Sequence, residues 1–267
     1  MLKRIMPFRI TTLNLAQNQK RLGERRRLIA QQLIDLKPDV FTMNEIWLPL
    51  GVGQWVKQVM DGARGANHTL IQSPRKVTEP DVEAEGILSG FRVMEQASRF
   101  YAAQDSVMLT ARLEITDHLV DIYVTHLYAS RVDDSLRVGL VEQLIDWIHE
   151  RDDIEYRIIC GDFNARLDMP SAKLMAEHFR PTQTQPTAFT PLQEPGDAPT
   201  HPEWERLDRC IDFIWISSSI RVIDSGRCFD KADEADQSLW PSDHIGVWAD
   251  LEFIQSEITN SDGNTRG

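Results

Sequence analysis

Cysteine is scarce: Cys160, Cys210 and Cys228 are the only three in 267 residues, too few for a disulfide framework. None has the CxxC spacing of a zinc or redox site, and Cys160 and Cys210, inside strand-like runs, read as small buried hydrophobes. No apolar run approaches a membrane span in length, so stable membrane association is not expected. The opening basic pair, Lys3 and Arg4, is not followed by an apolar stretch of signal-peptide length, because Arg9, Thr11, Thr12 and Asn14 interrupt it; a cytoplasmic location is the default expectation. Positive charge is in deficit. With 29 Lys and Arg against 41 Asp and Glu the net charge is −12, which disfavours long nonspecific tracking of a nucleic-acid backbone. The one tight basic run, Arg25, Arg26 and Arg27, reads as a solvated helix face. A glycine-rich phosphate loop, a dinucleotide fingerprint and a serine elbow are all missing, which sets aside NTP-driven kinase chemistry, hydride transfer and acyl transfer.

What is present is an ordinary globular composition, 42% apolar and 26% charged, sufficient for one large α/β domain over 1–255 followed by a polar, disordered tail at 256–267. Residues 7–15 alternate as a strand. Leu22, Ile29, Leu33 and Leu36 then recur at helical spacing until Lys37, Pro38 and Asp39 break the pattern, and 40–44 form a second strand. Runs at 86–89, 92–96, 106–115 and 119–127 follow too closely for intervening helices and read as an antiparallel meander. A helix capped by Asp133 or Asp134 carries Leu136, Leu140, Leu144, Ile145 and Ile148; a strand at 156–160 delivers Gly161 and Asp162; a short helix starts near Pro170. Six prolines between Pro181 and Pro202 mark a long loop before strands at 210–217 and 246–253.

Polar motifs sit at the ends of these apolar runs: Thr12-Leu13-Asn14, Asn44-Glu45, Glu85-Gly86-Ile87-Leu88-Ser89, Thr125-His126-Leu127, Gly161-Asp162-Phe163-Asn164 and Ser242-Asp243-His244. Alternation with period two puts Asn14 on the face of Phe8 and Ile10, Glu45 with Phe41 and Met43, His126 with Val120, Ile122 and Val124, and Asp212 with Ile214 and Ile216. Carboxylates, carboxamides and imidazoles on core-facing sides need partners, so the economical reading is convergence on one polar site, an enzyme's. Asn14, Glu45, Asp162, Asn164 and Asp243 offer hard oxygen ligands, the set that selects Mg2+ or Mn2+, the usual partners of phosphate. His126 and His244 suit contact with phosphoryl oxygens or proton transfer, and Glu85 and Asp212 are candidate acidic orienters for them.

With these motifs in this order, from Thr12 to His244, the chain resembles the endonuclease/exonuclease/phosphatase superfamily of metal-dependent hydrolases, related to deoxyribonuclease I. The resemblance implies a four-layer α/β/β/α sandwich, two packed mixed β-sheets with helices outside and the active site at one rim. It implies Asn14 and Glu45 as metal ligands with Asp243 near them, Asp162 orienting or deprotonating the attacking water, and Asn164 binding phosphoryl oxygens. His244 paired with Asp212, and His126 backed by Glu85, would flank the scissile phosphate. The residue before the metal-binding glutamate is usually glutamine in this family; here it is Asn44, and its alternation to the other strand face predicts a packing consequence only.

Family membership would leave the ester open. A phosphodiesterase acting on a small or single-stranded phosphate ester, a nucleic acid or nucleotide, is the leading expectation. A sphingomyelinase-like phospholipid hydrolase or an inositol-phosphate phosphatase is the runner-up, and a noncatalytic scaffold on the same fold is the reading from another class. Trp47, Trp55, Trp204 and Trp240 lie near motif loops, where they serve either as anchors in the core or as stacking surfaces. Oligomeric state is not legible.

Overall fold

The computed structural model describes residues 7–16, 20–76, 78–102, 106–130, 133–194 and 207–254; Trp204 and the 256–267 tail lie outside the described residues. Twelve strands form two six-stranded sheets of the same pattern, each with one parallel pair at its centre and antiparallel strands on both sides. In the first sheet the parallel pair is β1 (Phe8–Asn14) and β2 (Val40–Trp47), joined by α1 (Leu22–Leu36). It is flanked by β12 (Gly246–Phe253) and β11 (Ile220–Cys228) on one side, and by β4 (Glu83–Ser89) and β3 (Thr69–Pro74) on the other. In the second, β7 (His118–His126) and β8 (Tyr156–Asp162) are the parallel pair, joined by α3 (Ser135–His149). They are flanked by β6 (Val107–Ile115) and β5 (Arg92–Phe100), and by β10 (Asp212–Ile216) and β9 (Arg180–Pro181).

Alternation along the strands builds the layers. Phe8 and Ile10, Val120, Ile122 and Val124, Ile158 and Cys160, and Ile214 and Ile216 meet between the sheets in one apolar cluster. The opposite faces carry Leu13, Phe41 and Met43 against α1 and α2 (Val52–Arg64), and Tyr123, Ile159 and Trp215 against α3 and α4 (Pro170–His178). The result is the four-layer α/β/β/α sandwich that the motifs imply.

Several details differ from the sequence reading. The run at 86–89 does not join the meander: β4 stays in the first sheet, and the chain crosses to the second at Gly90 and Phe91 before β5, β6 and β7 form the meander proper. Helix α2 is missing from the sequence reading: Val52, Val56 and Met60 recur at four-residue spacing and Gly65 ends it, but Gly53 and Gly62 dilute the pattern. Strand β11 is an exposed edge with a bulge between Val222 and Asp224, so it carries little alternation. Cys210 precedes β10 and is half-buried, whereas Cys160 is fully buried in β8. At the start of α3 the N-cap position is Asp134, whose carboxylate binds Arg137 and Ser171 and no N–H of the helix, while the Asp133 carboxylate accepts the Ser135 N–H at 2.8 Å.

The basic run is a solvated face only in part, since Arg27 is exposed and Arg26 half-buried while Arg25 is neither. Arg25 is fully buried, donating to the carbonyls of Leu15 (2.6 Å) and Ala16 (3.3 Å); Arg26 lies over the Trp55 ring and Arg27 pairs with Asp233.

Candidate active site

The carboxyl ends of the four central strands open on the same rim. In β1 and β2, Asn14 stands in register with Asn44; in β7 and β8, His126 stands in register with Asp162. Antiparallel pairing then sets Asp212, the first residue of β10, opposite Asp162. The loop before β12 brings Asp243 and His244, tied down because the Ser242 hydroxyl donates to the Asn14 carbonyl (2.6 Å) and accepts the His244 N–H (3.1 Å). The 187–190 segment backs that loop: Ile245 N–H donates to the Thr187 carbonyl and Thr190 N–H to the Asp243 carbonyl, each at 2.7 Å.

Asp162 is the point of convergence. Its Oδ2 lies 3.2 Å from Asn14 Nδ2, 3.5 Å from His126 Nε2 and 3.8 Å from His244 Nε2, and its Oδ1 accepts the Asn164 N–H at 2.8 Å. Asn164, with φ of 50°, turns the chain after Asp162, and its amide donates to the Leu127 carbonyl (3.0 Å). His244 Nδ1 is 2.9 Å from Asp212 Oδ2. Burial alone would lower the His244 pKa, but Asp212 and Asp162 outweigh it and hold the ring well above the ordinary histidine value. Burial, then Asp212, raises the Asp162 carboxyl, with His244 opposing. His126 is driven the other way, well below the ordinary value, by burial and by the Arg75 and His244 charges. The two imidazoles that face Asp162 are therefore shifted in opposite directions, His244 up and His126 down.

Glu45 reaches the rim by a route the alternation does not give. Phe41 and Met43 face the helices, and the same parity would send Glu45 after them. A bulge between Met43 and Ile46, with Glu45 at φ 56°, turns the side chain back to the rim, where its Oε1 accepts from Asn14 Nδ2 at 3.0 Å. The neighbour corrects a second expectation. Asn44 is not a packing residue: fully buried between the sheets, it bonds Glu85, Thr125 and Asp162. Glu85 consequently serves Asn44 and does not bond His126, whose Nδ1 stays 3.9 Å away. Burial pushes the Glu85 carboxyl up to about 8, against the pull of Arg75, which also pairs with Glu83 at 2.5 Å. Arg75 and Glu83 carried no signal in the sequence beyond their charge.

Asn14, Glu45, Asp162, Asp212, His126, His244 and Glu85 are thus brought together, with the half-buried Asp243 adjoining His244. Among the described residues two groups have ligand atoms close enough to share an ion, Glu45 with Glu83 and His126, and Asp162 with Asp212 and His244. The oxygen-rich donor set around Asn14 and Glu45 fits a hard divalent cation, and buried Glu85 Oε1 and His126 Nδ1 have no hydrogen-bond partner beside it. On the Asn164 side the rim opens into a cavity of about 200 Å3 lined by Arg166, Met169, Phe189, Arg209 and Ile211. Phe189 stands edge-on to the His244 ring, centroids 5.0 Å apart, and Arg209 covers its face. Trp47 and Trp55 pack against the α1–α2 cluster, and Trp240 donates to the Gln237 carbonyl at 3.1 Å.

The model of the endonuclease/exonuclease/phosphatase family matches residues 11–244. No curated protein matches the chain. Among solved structures, a family protein from Bacteroides thetaiotaomicron is 17% identical with TM-score 0.71, covering 94% of this chain and 99% of its own. The human Nocturnin catalytic domain with bound sulfate is 20% identical, TM-score 0.69, covering 93% and 94%. D. rerio TDP2 in complex with single-strand DNA product is 15% identical, TM-score 0.72, covering 92% and 99%. These likenesses establish the fold, the deoxyribonuclease I-like sandwich.

Proposed function

The chain belongs to the endonuclease/exonuclease/phosphatase family, whose members are phosphoester hydrolases, and from that premise we propose that it is a divalent-metal-dependent phosphodiesterase acting on a small or single-stranded nucleic-acid or nucleotide ester. The observation that carries this reading is the surrounding of one carboxylate oxygen, Asp162 Oδ2, by Asn14, His126 and His244. Asn14 and Glu45, with Asp243, would hold the divalent cation, Mg2+ or Mn2+, which when bound would supply Lewis-acid withdrawal of charge from the phosphoryl oxygens. Asp162 orients the attacking water and takes its proton, a role suited to a carboxyl raised towards neutrality by burial and Asp212. His244, kept charged by Asp212, stabilises the charge that develops on the scissile phosphate, and Asn164 donates to its oxygens. His126, neutral, donates from Nε2 on the opposite side.

The cavity beside Asn164 supports a substrate with a planar or apolar group next to the reacting phosphate, since Phe189 and Met169 offer apolar surface and Arg209 a charge. The sulfate in Nocturnin and the single-strand DNA product in TDP2 agree with that chemistry.

The test is hydrolysis with Mg2+ or Mn2+ across single-stranded DNA, RNA, duplex DNA, sphingomyelin and inositol phosphates, with Asp162→Ala as control. Cleavage of a single-stranded or nucleotide ester, lost about 10²–10⁴-fold in the variant, is the expected result. Preference for sphingomyelin or an inositol phosphate would replace the substrate class. Silence in every case would favour a noncatalytic scaffold.

A further inference from the structure

We propose that Asn44 is a positioning residue, the carboxamide that keeps the two halves of the active site in register. The metal side of the rim, Asn14 and Glu45, belongs to the first sheet, whereas Asp162 and His126 belong to the second. What joins the sheets below the rim is chiefly apolar packing, which resists separation but does not fix direction, with one polar link from Thr42 to Cys160; at the rim itself Asn14 donates to Asp162 at 3.2 Å. Asn44 adds most of the direction, with three bonds to the strands around it. Its Oδ1 accepts the Asp162 N–H at 2.9 Å, while its Nδ2 donates to the Thr125 carbonyl at 3.0 Å and to Glu85 Oε2 at 2.5 Å. One side chain on β2 thus holds β4, β7 and β8.

The assignment of its two ends is forced. Reversal would face an amide N–H with NH2 and two acceptors with an oxygen, so only one orientation satisfies all the groups. The surroundings are shaped for it. A Cβ on Gly161 would come within 3.1 Å of Asn44 Oδ1 and 2.0 Å of the Thr125 carbonyl oxygen, so the close approach of β2 to β7 and β8 needs glycine there. Glu85, which receives one Asn44 donor, is itself anchored beside Arg75, whose Nε lies 3.7 Å from its other oxygen. The chain of contacts runs from Arg75 through Glu85 and Asn44 to the backbone of Asp162. Asn44 touches no reacting atom in this arrangement; it acts through Asp162. Glutamine, the usual residue at this position by resemblance, places the carboxamide one methylene further out, so the spacing between the half-sites is set by the shorter side chain.

The inference rests on the proposed hydrolase reading for its activity arm only, and a second arm is independent of it. Backbone amide exchange by NMR on Asn44→Ala and Asn44→Leu, the second keeping the volume without the carboxamide, should show the Asp162 N–H exchanging at least about tenfold faster while Ile122 and Ile158 stay protected. On whichever phosphate ester the wild type cleaves, kcat should fall about 10–100-fold in both variants with KM within about threefold, the size typical of losing an orienting partner. Val120→Ala, in the sandwich core far from the rim, should lower the melting temperature as much yet keep kcat within about threefold. Unchanged Asp162 exchange, or full kcat in Asn44→Leu, would overturn the proposal. Should neither variant fold, Asn44→Gln carries the test: wild-type kcat with a deprotected Asp162 amide would likewise overturn it. Absence of any esterase activity would sink the hydrolase reading and leave the exchange result to decide this one.

Discussion

A methyl group on Gly161 would lie 2.0 Å from the Thr125 carbonyl oxygen, on backbone with φ of 132°. Gly161→Ala should therefore destabilise the protein by about 3 kcal/mol or more and abolish hydrolysis, read as a urea midpoint and a rate. Arg25 makes a parallel case from the interior. Its guanidinium satisfies the carbonyls of Leu15 and Ala16, directly after Asn14, and Arg25→Leu would leave both buried without donors, a loss of about 2–4 kcal/mol by denaturant titration. Metal affinity, measured by calorimetry, should weaken as well, because Ala16 N–H holds Asn14 Oδ1 at 2.9 Å. Such residues separate what a sequence discloses from what it hides. Asp162, Asn164, Asp243 and His244 sit in short motifs whose composition has no apolar explanation, so they could be picked out singly. Arg25 and Asn44 look like surface charge and strand filler, since their partners, backbone carbonyls and an amide N–H, are invisible in a string of side chains.

Most strands were legible at the element scale because alternation is local, and so were the helices with clean apolar spacing, α1, α3 and α4; the edge strands β3, β9 and β11 were not. Register was not. The bulge that returns Glu45 to the rim is one extra residue in β2, and no composition rule distinguishes it from the regular strand that would have turned Glu45 towards α2. Helix α2 also offers the clearest pH dependence. Burial alone would raise Asp61, but the His68 N–H at 2.7 Å, Lys57 and the His68 ring lower it to about 2. A carboxyl whose folded pKa is depressed gives stability that is complete above the ordinary Asp value, about 4, and is lost as pH falls towards 2. The difference in urea midpoint between wild type and Asp61→Asn should therefore be full at pH 6 and shrink towards zero near pH 2.

Among the described residues no helix is long and apolar enough to cross a membrane, and the whole chain carries a net charge of −12. A polyanion meets that field over a long distance, a single ester does not. Cleavage of long duplex DNA should be poor at low ionic strength and improve as salt rises to physiological strength, whereas a short ester should show no such rise; rapid duplex cleavage suppressed by salt would reveal a basic groove. The two sheets share a strand pattern, and each delivers half of the chemistry across a seam of oily contact. Shear along that seam breaks no backbone hydrogen bond between strands, as melting either sheet must. Warming should therefore silence the enzyme before it unfolds, with the activity curve breaking several degrees below the loss of circular dichroism, so that the temperature ceiling of catalysis measures the grip between the sheets and not the strength of either.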